Sequence, residues 1–504
     1  MKRTLLLLLV LLLGGGWLIA GAGDGLRREH VVAAGVPLEE VHPAGDGKRP
    51  GVVVAHGFSG SARLMEPFGD TLAARGYVVV LLDFAGHGAN TGGLPDQAAG
   101  TDKSTRVLQA NLDAAVAHLR SLTDVDPARI ALVGHSMGAG AVTRYAAAHP
   151  DVAATVAISL PGVEAASPQG PANLLTLVGG LEFPGFHYSA ETVAAQRPDR
   201  MVRTITGVEH ITVLYAPETH RAMLAWLDST FGGPLTYADV PFPARRLLGA
   251  GLLVLAFLIG LHPLVTLLAG GPRTTGKPKL WPGLPRLGLT VLVTAGAAAV
   301  GAVAARFLPT TQMPIAIAGY VTGYATVTGA LLLGYAYRIA PPGKPRNPGQ
   351  PGEPGNPGQP GKPEKPGKSG RLLLTVPYAI VAIAVPVHLG LTHAIPVGDR
   401  WWLLLIMWAA FFLFAWAAEL VSGGSPVLLL AISAVFVIVL AAAAVAGLTH
   451  SFVVLALFPL IGLFLWQAVW SAILHRHGAA TWVTALTGSI VLTWPLAITL
   501  PLIG

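Results

Sequence analysis

The chain has 504 residues, 53% of them hydrophobic and 12% charged, and its mean hydropathy is +0.59. That charged share is about half that of an ordinary soluble domain, which excludes a single soluble globule and a disordered chain alike. There is no cysteine, so disulfides, thiolate nucleophiles and cysteine-held metal sites are excluded too.

The net charge of +7 raises the question of a nucleic-acid partner, and its distribution answers it. Residues 1–243 hold 22 acidic and 17 basic side chains, whereas the remainder holds 16 basic ones and only Glu353, Glu364, Asp399 and Glu419. An acidic, mixed-composition first half precedes a second half of long apolar runs. No nucleic-acid surface follows from such a division. Three parts are expected: residues 1–23, 24–243 and 244–504.

Residues 4–22 follow Lys2 and Arg3 and are almost wholly apolar. This is a signal peptide or a retained signal anchor. Ala20-Gly21-Ala22 resembles a cleavage site, while the run is nearly long enough to span a bilayer. Either outcome places the next part outside the cytoplasm.

Within 24–243, strands are predicted near 31–34, 38–41, 52–55, 78–82, 130–133, 155–160, 173–178 and 202–206. Helices are predicted over about 62–75, 104–122, from 139 onward and over 217–231. Continuous apolar strands alternating with helices imply an α/β fold, a parallel sheet covered on both faces.

Gly134-His135-Ser136-Met137-Gly138 joins the strand at 130–133 to a helix. G-x-S-x-G in that setting is a sharp turn that lifts a serine hydroxyl clear of the sheet. Gly134 and Gly138 keep the turn free of side chains, and the helix amides face the place where an oxyanion would form. His56-Gly57-Phe58-Ser59-Gly60 follows the strand at 52–55, so the Phe58 amide can join that of Met137 as a second oxyanion donor. His56 is expected to support this loop. Asp83-Phe84-Ala85-Gly86-His87-Gly88 follows the next strand, and Asp83 and His87 are expected to be structural.

These three motifs, taken together, resemble the α/β-hydrolase superfamily over residues 28–232, in particular its serine esterase, lipase and serine-aminopeptidase-like members. The resemblance implies a triad in the order serine, acid, histidine. Glu182, after the strand at 173–178, stands where such proteins carry the acid; Glu164 is the alternative. Gly207-Val208-Glu209-His210 precedes the last helix and offers His210 as the base, with His220 as the alternative. His187 is read as a site-lining or surface residue. The chemistry implied is acyl transfer through Ser136, His210 and Glu182, with no metal and no cofactor. Expected substrates are small-molecule or lipid esters, with thioesters and amides also open. Acyl transfer to an envelope component, or a catalytically inactive binding module, are the alternatives; protein partners are undetermined. Only about a dozen residues, 161–172, occupy the usual lid position, so an open site is expected.

The second half offers eight apolar segments of spanning length, near 247–269, 287–306, 313–337, 372–394, 401–421, 426–447, 452–474 and 480–502. With the hydrolase-like part outside, the loops carrying Arg273, Lys277, Lys279 and Arg286, and Arg338 to Arg371, fall inside, as does Arg476. Arg245 and Arg246 run against that rule. The expectation is a multi-pass protein of the plasma membrane, with the bilayer as a partner. The Pro/Gly repeat at 341–370 is read as an extended linker rather than a collagen-like helix. Polar candidates within the spans are His262, His388, His393 and Glu419, with Gly319 and Gly323 as a packing pair. His475-Arg476-His477 is read as a juxtamembrane polar patch before a metal site.

Overall fold

The computed structural model describes residues 2–95, 101–233, 239–272, 282–339 and 367–504. Arg273, Lys277 and Lys279 and the repeat over 341–366 lie outside the described residues.

Helix α1 (Lys2–Ala20) leads into strands β1 (Arg27–Ala33), β2 (Val36–His42) and β3 (Arg49–Ala55). Then come α2 (Glu66–Arg75), β4 (Val78–Leu82), α3 (Asp102–Ser121), β5 (Val125–His135) and α4 (Met137–Ala148). The unit closes with β6 (Ala154–Ile158), β7 (Leu174–Gly179), α5 (Pro184–Ala195), β8 (Arg200–Ile205) and α6 (Pro217–Phe231). The eight strands form one sheet in the order β1-β2-β4-β3-β5-β6-β7-β8, antiparallel at β1–β2–β4 and parallel from β4 to β8. Both faces are covered. Val52, Val54, Val79, Leu81, Val133 and Ile158 pack with Phe68, Met223 and Leu227 on one side. Val53, Val80, Leu82 and Leu132 pack with Leu108, Leu112 and Val142 on the other. This is why the strands are apolar throughout rather than alternating.

Each predicted strand is present, and α6 has the predicted bounds. Helix α5 was not anticipated. Its sequence begins Pro-Gly-Phe-His and offers little apolar periodicity, but Ser189, Ala190, Val193 and Ala194 bury against β7 and β8.

The second half is helical: α7 (Arg245–Ala269), α8 (Leu284–Ala305), α9 (Ala318–Ile339), α10 (Gly367–Leu372), α11 (Thr375–Gly390), α12 (Arg400–Ser422), α13 (Pro426–Val445), α14 (Val454–Arg476) and α15 (Thr481–Thr499). Among the described residues, eight helical segments are long and apolar enough to cross a membrane: α1, α7, α8, Gly370–Gly390, α12, α13, Ser451–Arg476 and α15. The expected segment near 313–337 is the helix α9, which is less apolar because threonine, tyrosine and glycine interrupt it. It packs between α8 and α12. Gly319 sits against the Thr310 carbonyl, in the turn before α9, and Gly323 against Thr310 and the backbone of Ala305 at the end of α8.

Helix α1 packs along α7, where a side chain on Gly15 would collide with the Gly249 carbonyl at 2.9 Å. Small residues here allow close backbone approach. Arg245 donates to the Leu18 carbonyl and lies over the Trp17 ring. Arg246 pairs with Glu66 at 3.0 Å and Asp70 at 2.9 Å. Both arginines that ran against the loop-charge pattern are thus held by specific partners.

Loops at one end of the helical bundle meet the sheet unit. Ser61 bonds to Thr392 at 2.9 Å. The C-terminal segment runs beside the β4 loop, with Leu502 N–H donating to the Gly86 carbonyl and Leu94 N–H to the Leu502 carbonyl, both at 2.9 Å. Arg400, 1% exposed, donates to the carbonyls of Ala497, Leu500 and Gly86 at 2.7, 2.7 and 2.6 Å. At the other end, Glu419 is buried and accepts from Ser471 and His475, each at 2.9 Å. His477 turns instead to the Ile473 carbonyl. His475 and His477 therefore serve different partners, and no cluster of three metal-ligating side chains occurs among the described residues.

Candidate active site

Ser136 sits between β5 and α4 with φ 53° and ψ −117°, a conformation that non-glycine residues rarely adopt. Its amide is tied to the Ile158 carbonyl at 2.8 Å and its carbonyl to Gly140 N–H at 3.0 Å, so the strained turn is held from both sides. The turn is too tight for side chains. A Cβ on Gly134 would lie 2.4 Å from the Gly138 carbonyl oxygen, and one on Gly138 would lie 2.5 Å from that of His56. A Cβ on Gly57 would meet His135 Nδ1 at 2.9 Å and Ser136 Cβ at 3.1 Å.

Three side chains from separate loops converge. His210 Nε2 lies 3.1 Å from Ser136 Oγ, and His210 Nδ1 lies 3.1 Å from Glu182 Oε2. The Glu182 side chain is fully buried, while Ser136 and His210 are partly exposed. Glu164 is elsewhere: its side chain is 66% exposed and pairs with Arg144 at 3.3 Å. His220 is also elsewhere, stacked on Phe68 and bonded to Thr71 and the Leu214 carbonyl within the α2–α6 packing. His187 lies on α5, half-buried. The Phe58 and Met137 amides have no hydrogen-bond partner among the described residues, so both remain available to a ligand.

Residues 47–211 match the family model described as serine aminopeptidase, S33. That match covers both glycine-rich loops, the serine turn, Glu182 and His210. The N-terminal part of the chain is an α/β-hydrolase domain. A cutinase of Thermobifida cellulosilytica is 30% identical over 110 residues, 21% of this chain and 38% of its own. An uncharacterized protein of Mycobacterium tuberculosis is 30% identical over 143 residues, 28% of this chain and 43% of that relative. The chain thus spans less than half the length of the curated relatives it matches. A dienelactone hydrolase of Anabaena variabilis, 20% identical, superposes with a TM-score of 0.34 over 42% of this chain and 98% of that one.

The hydrolase domain surrounds these side chains with supports that sequence reasoning missed. Ser159, at the end of β6, has φ 56° and donates to Glu182 Oε1 at 2.6 Å; Gly179 N–H donates to the same oxygen at 2.9 Å. One carboxylate oxygen is therefore held while the other faces His210. A serine directly after the β6 strand was the available signal. Phe186, on the unanticipated α5, packs on the His210 ring at 4.7 Å. His135, within the serine turn, donates from Nε2 to the His210 carbonyl at 2.9 Å.

The other loop residues are structural, as expected. Phe84 N–H donates to His56 Nε2, so the His56 proton sits on Nδ1 and is donated to the Gly57 carbonyl at 2.7 Å. Burial lowers this imidazole to about 4, keeping it neutral. Asp83 accepts from the amides of Ala62 and Ala89, and burial pushes its carboxyl up to about 6. His87 donates to the Ala85 carbonyl and packs on both His56 and Phe58.

The open-site expectation needs correction on one side. The segment at the lid position is short, as predicted, and leaves Leu181, Phe183, Tyr188 and Ile211 exposed around Glu182 and His210. On the Phe58 side, however, the helical half forms a wall: Phe452, in the turn before α14, packs on Phe58 with ring centres 4.9 Å apart. Short hydrolase loops leave space that a neighbouring unit fills.

Proposed function

We propose that this protein is a membrane-embedded serine hydrolase that cleaves carboxylic esters of apolar substrates. The observation that carries the reading is the hydrogen-bonded line Ser136–His210–Glu182, 3.1 Å at each link. His210 takes the proton from Ser136 as its oxygen attacks the ester carbonyl. Glu182 holds the imidazole orientation and stabilises its cation. The free amides of Phe58 and Met137 stabilise the developing oxyanion at the N-terminus of α4. His210 then protonates the leaving alcohol. Water enters from the exposed side of Ser136 and His210, and His210 deprotonates it to release the acid. That accessibility favours hydrolysis over transfer to a second acceptor. The exposed apolar rim at Leu181, Phe183, Tyr188 and Ile211 favours lipophilic esters.

The chain path supports a spanning arrangement. Alternating helices carry residues 306–317, 391–399, 446–453 and 500–504 to the hydrolase end and Arg286, Arg338, Arg371 and Arg476 to the opposite one. Arg306 and Arg400 stand at the hydrolase-side connections, but with the basic residues of the remaining connections and Lys2 and Arg3 on the opposite side, the positive-inside rule favours a hydrolase domain outside the plasma membrane. The packing of α1 on α7 supports its retention as an anchor.

An impermeant fluorophosphonate probe on intact cells tests chemistry and orientation together. Labelling of the native chain and none of Ser136→Ala is expected. Equal labelling of both would defeat the nucleophile assignment, and labelling only after lysis would defeat the orientation. A panel of short- and long-chain esters and amides then defines the substrate range.

A further inference from the structure

The helical half contains a cavity of about 400 Å³ on its hydrolase-facing end, lined by Arg306, Thr311, Tyr320, Gly447, Leu448, Thr449 and His450. It adjoins the candidate site through a continuous row of contacts. The His450 ring lies 5.0 Å from Phe452, Phe452 lies 4.9 Å from Phe58, and the preceding Gly57 approaches Ser136 closely.

The lining is made for an anion. Arg306 is its one cation, no lining residue is acidic, and no carboxylate among the described residues lies within ion-pair distance of Arg306. His450 Nδ1 accepts from Phe452 N–H at 3.3 Å, so its proton is on Nε2 and remains available as a donor. Thr449 adds a hydroxyl, while that of Thr311 already donates to the Leu308 carbonyl at 2.8 Å. A guanidinium with hydroxyl and imidazole donors suits phosphate oxygens.

The surroundings point to a lipid rather than a soluble phosphate. Phe307, beside Arg306, is 77% exposed, and Val445, two residues before Gly447, is 91% exposed. Both stand at the ends of segments apolar enough to span a membrane, α8 and α13. Exposed apolar side chains beside an exposed cation match an amphiphile whose chains stay in the bilayer.

We propose that this cavity holds the phosphate head of a membrane lipid and, resting on Ser136 as nucleophile, presents that lipid's acyl ester to the hydrolase domain. The helical half then selects the substrate as well as anchoring the enzyme. A phosphate head fixed by Arg306 would orient the ester past the Phe58–Phe452 contact.

The test measures binding to the purified full chain in neutral detergent, using Ser136→Ala so that no turnover intervenes. Dihexanoyl phosphatidylglycerol is compared with dihexanoylglycerol and inorganic phosphate, in this chain and in chains that also carry Arg306→Gln or Arg306→Lys. The expected result is preference for the phospholipid over the neutral lipid, weakened about tenfold or more by Arg306→Gln and partly restored by Arg306→Lys, with little binding of inorganic phosphate. Equal binding of the charged and neutral lipids, or no effect of Arg306→Gln in a chain with an unchanged melting profile, overturns the proposal. Tight binding of inorganic phosphate alone overturns the lipid source. Soluble-ester turnover by the wild type is measured separately. Its failure alongside selective phospholipid binding would count against the hydrolase reading and leave the cavity assignment standing.

Discussion

His135 Nε2 donates to the main-chain carbonyl of His210 at 2.9 Å, and the two rings lie 4.8 Å apart. The residue before the candidate nucleophile therefore positions the backbone of the candidate base. Burial, and next His210 itself, hold the His135 imidazole well below its usual value, so this donor stays neutral. Replacing His135 by alanine should lower kcat on a soluble ester by about tenfold or more, with a smaller change in KM, because the loop carrying His210 loses its tether. His135→Gln should recover part of the loss. Unchanged kcat in His135→Ala would remove the positioning role.

The acid assignment separates cleanly by mutation. Glu182→Gln should reduce kcat by at least about a hundredfold, since the amide favours the wrong imidazole tautomer. Glu164→Gln should stay within about twofold, because its exposed side chain reaches only Arg144. Ester-hydrolysis rates of the two variants decide between the carboxylates. Ser159→Ala should give an intermediate loss by removing one of the two donors to Glu182 Oε1 and leaving only Gly179 N–H.

Arg400 couples the two halves through a single buried guanidinium. Arg400→Met would remove a buried donor from the carbonyls of Gly86, Ala497 and Leu500, of which Gly86 alone, among the described residues, keeps a second one, the Leu502 N–H, at a cost of about 2–4 kcal/mol. The melting midpoint of the solubilised chain should fall by several degrees. Fluorophosphonate labelling of Ser136 should slow, since the Gly86 loop carries His87, which packs on Phe58. A midpoint equal to that of the wild type would show that the junction does not depend on Arg400.

Acid should destabilise the fold. Burial lowers His56 and His220 to about 4 and His87 and His135 well below 6.5. Between about 6.5 and 4 the unfolded chain binds protons at these four sites and the native chain does not, so stability falls as pH falls through that window. Asp83, raised to about 6 by burial, and Glu66, raised to about 7 by burial and Glu39, act in the opposite sense. Their native forms take up protons first, which relieves part of their cost on acidification. Four imidazoles outweigh two carboxylates. The thermal midpoint should therefore drop from pH 6.5 towards 4.5, and a flat or rising midpoint would contradict the neutral buried histidines.

The strand positions along the chain, the serine turn and the glutamate and histidine loops were legible in the sequence because each rests on local chemistry. Apolar runs bounded by glycines read as buried strands. Gly134 and Gly138 flank Ser136 because the turn has no room for side chains. The positions of Glu182 and His210 could be read relative to the strands they follow. Helix α5 escaped notice because tertiary burial, not periodicity, makes it a helix. Likewise Arg400 reads in sequence as a charge at the start of an apolar segment, and nothing nearby announces that it holds Gly86 more than three hundred residues away.

The relation between the halves is of another kind. Composition and charge alone divide the chain into an acidic α/β part and an apolar helical part with basic connections, since a sheet buried against protein and helices apolar enough to cross a membrane demand different residues. The contacts of Phe58 with Phe452, Ser61 with Thr392 and Arg246 with Glu66 leave no such mark. Each joins side chains that are ordinary in their own segments and become specific only when the chain closes in space. The net charge of +7 therefore encodes two environments, while the wall beside Ser136 arises where they meet.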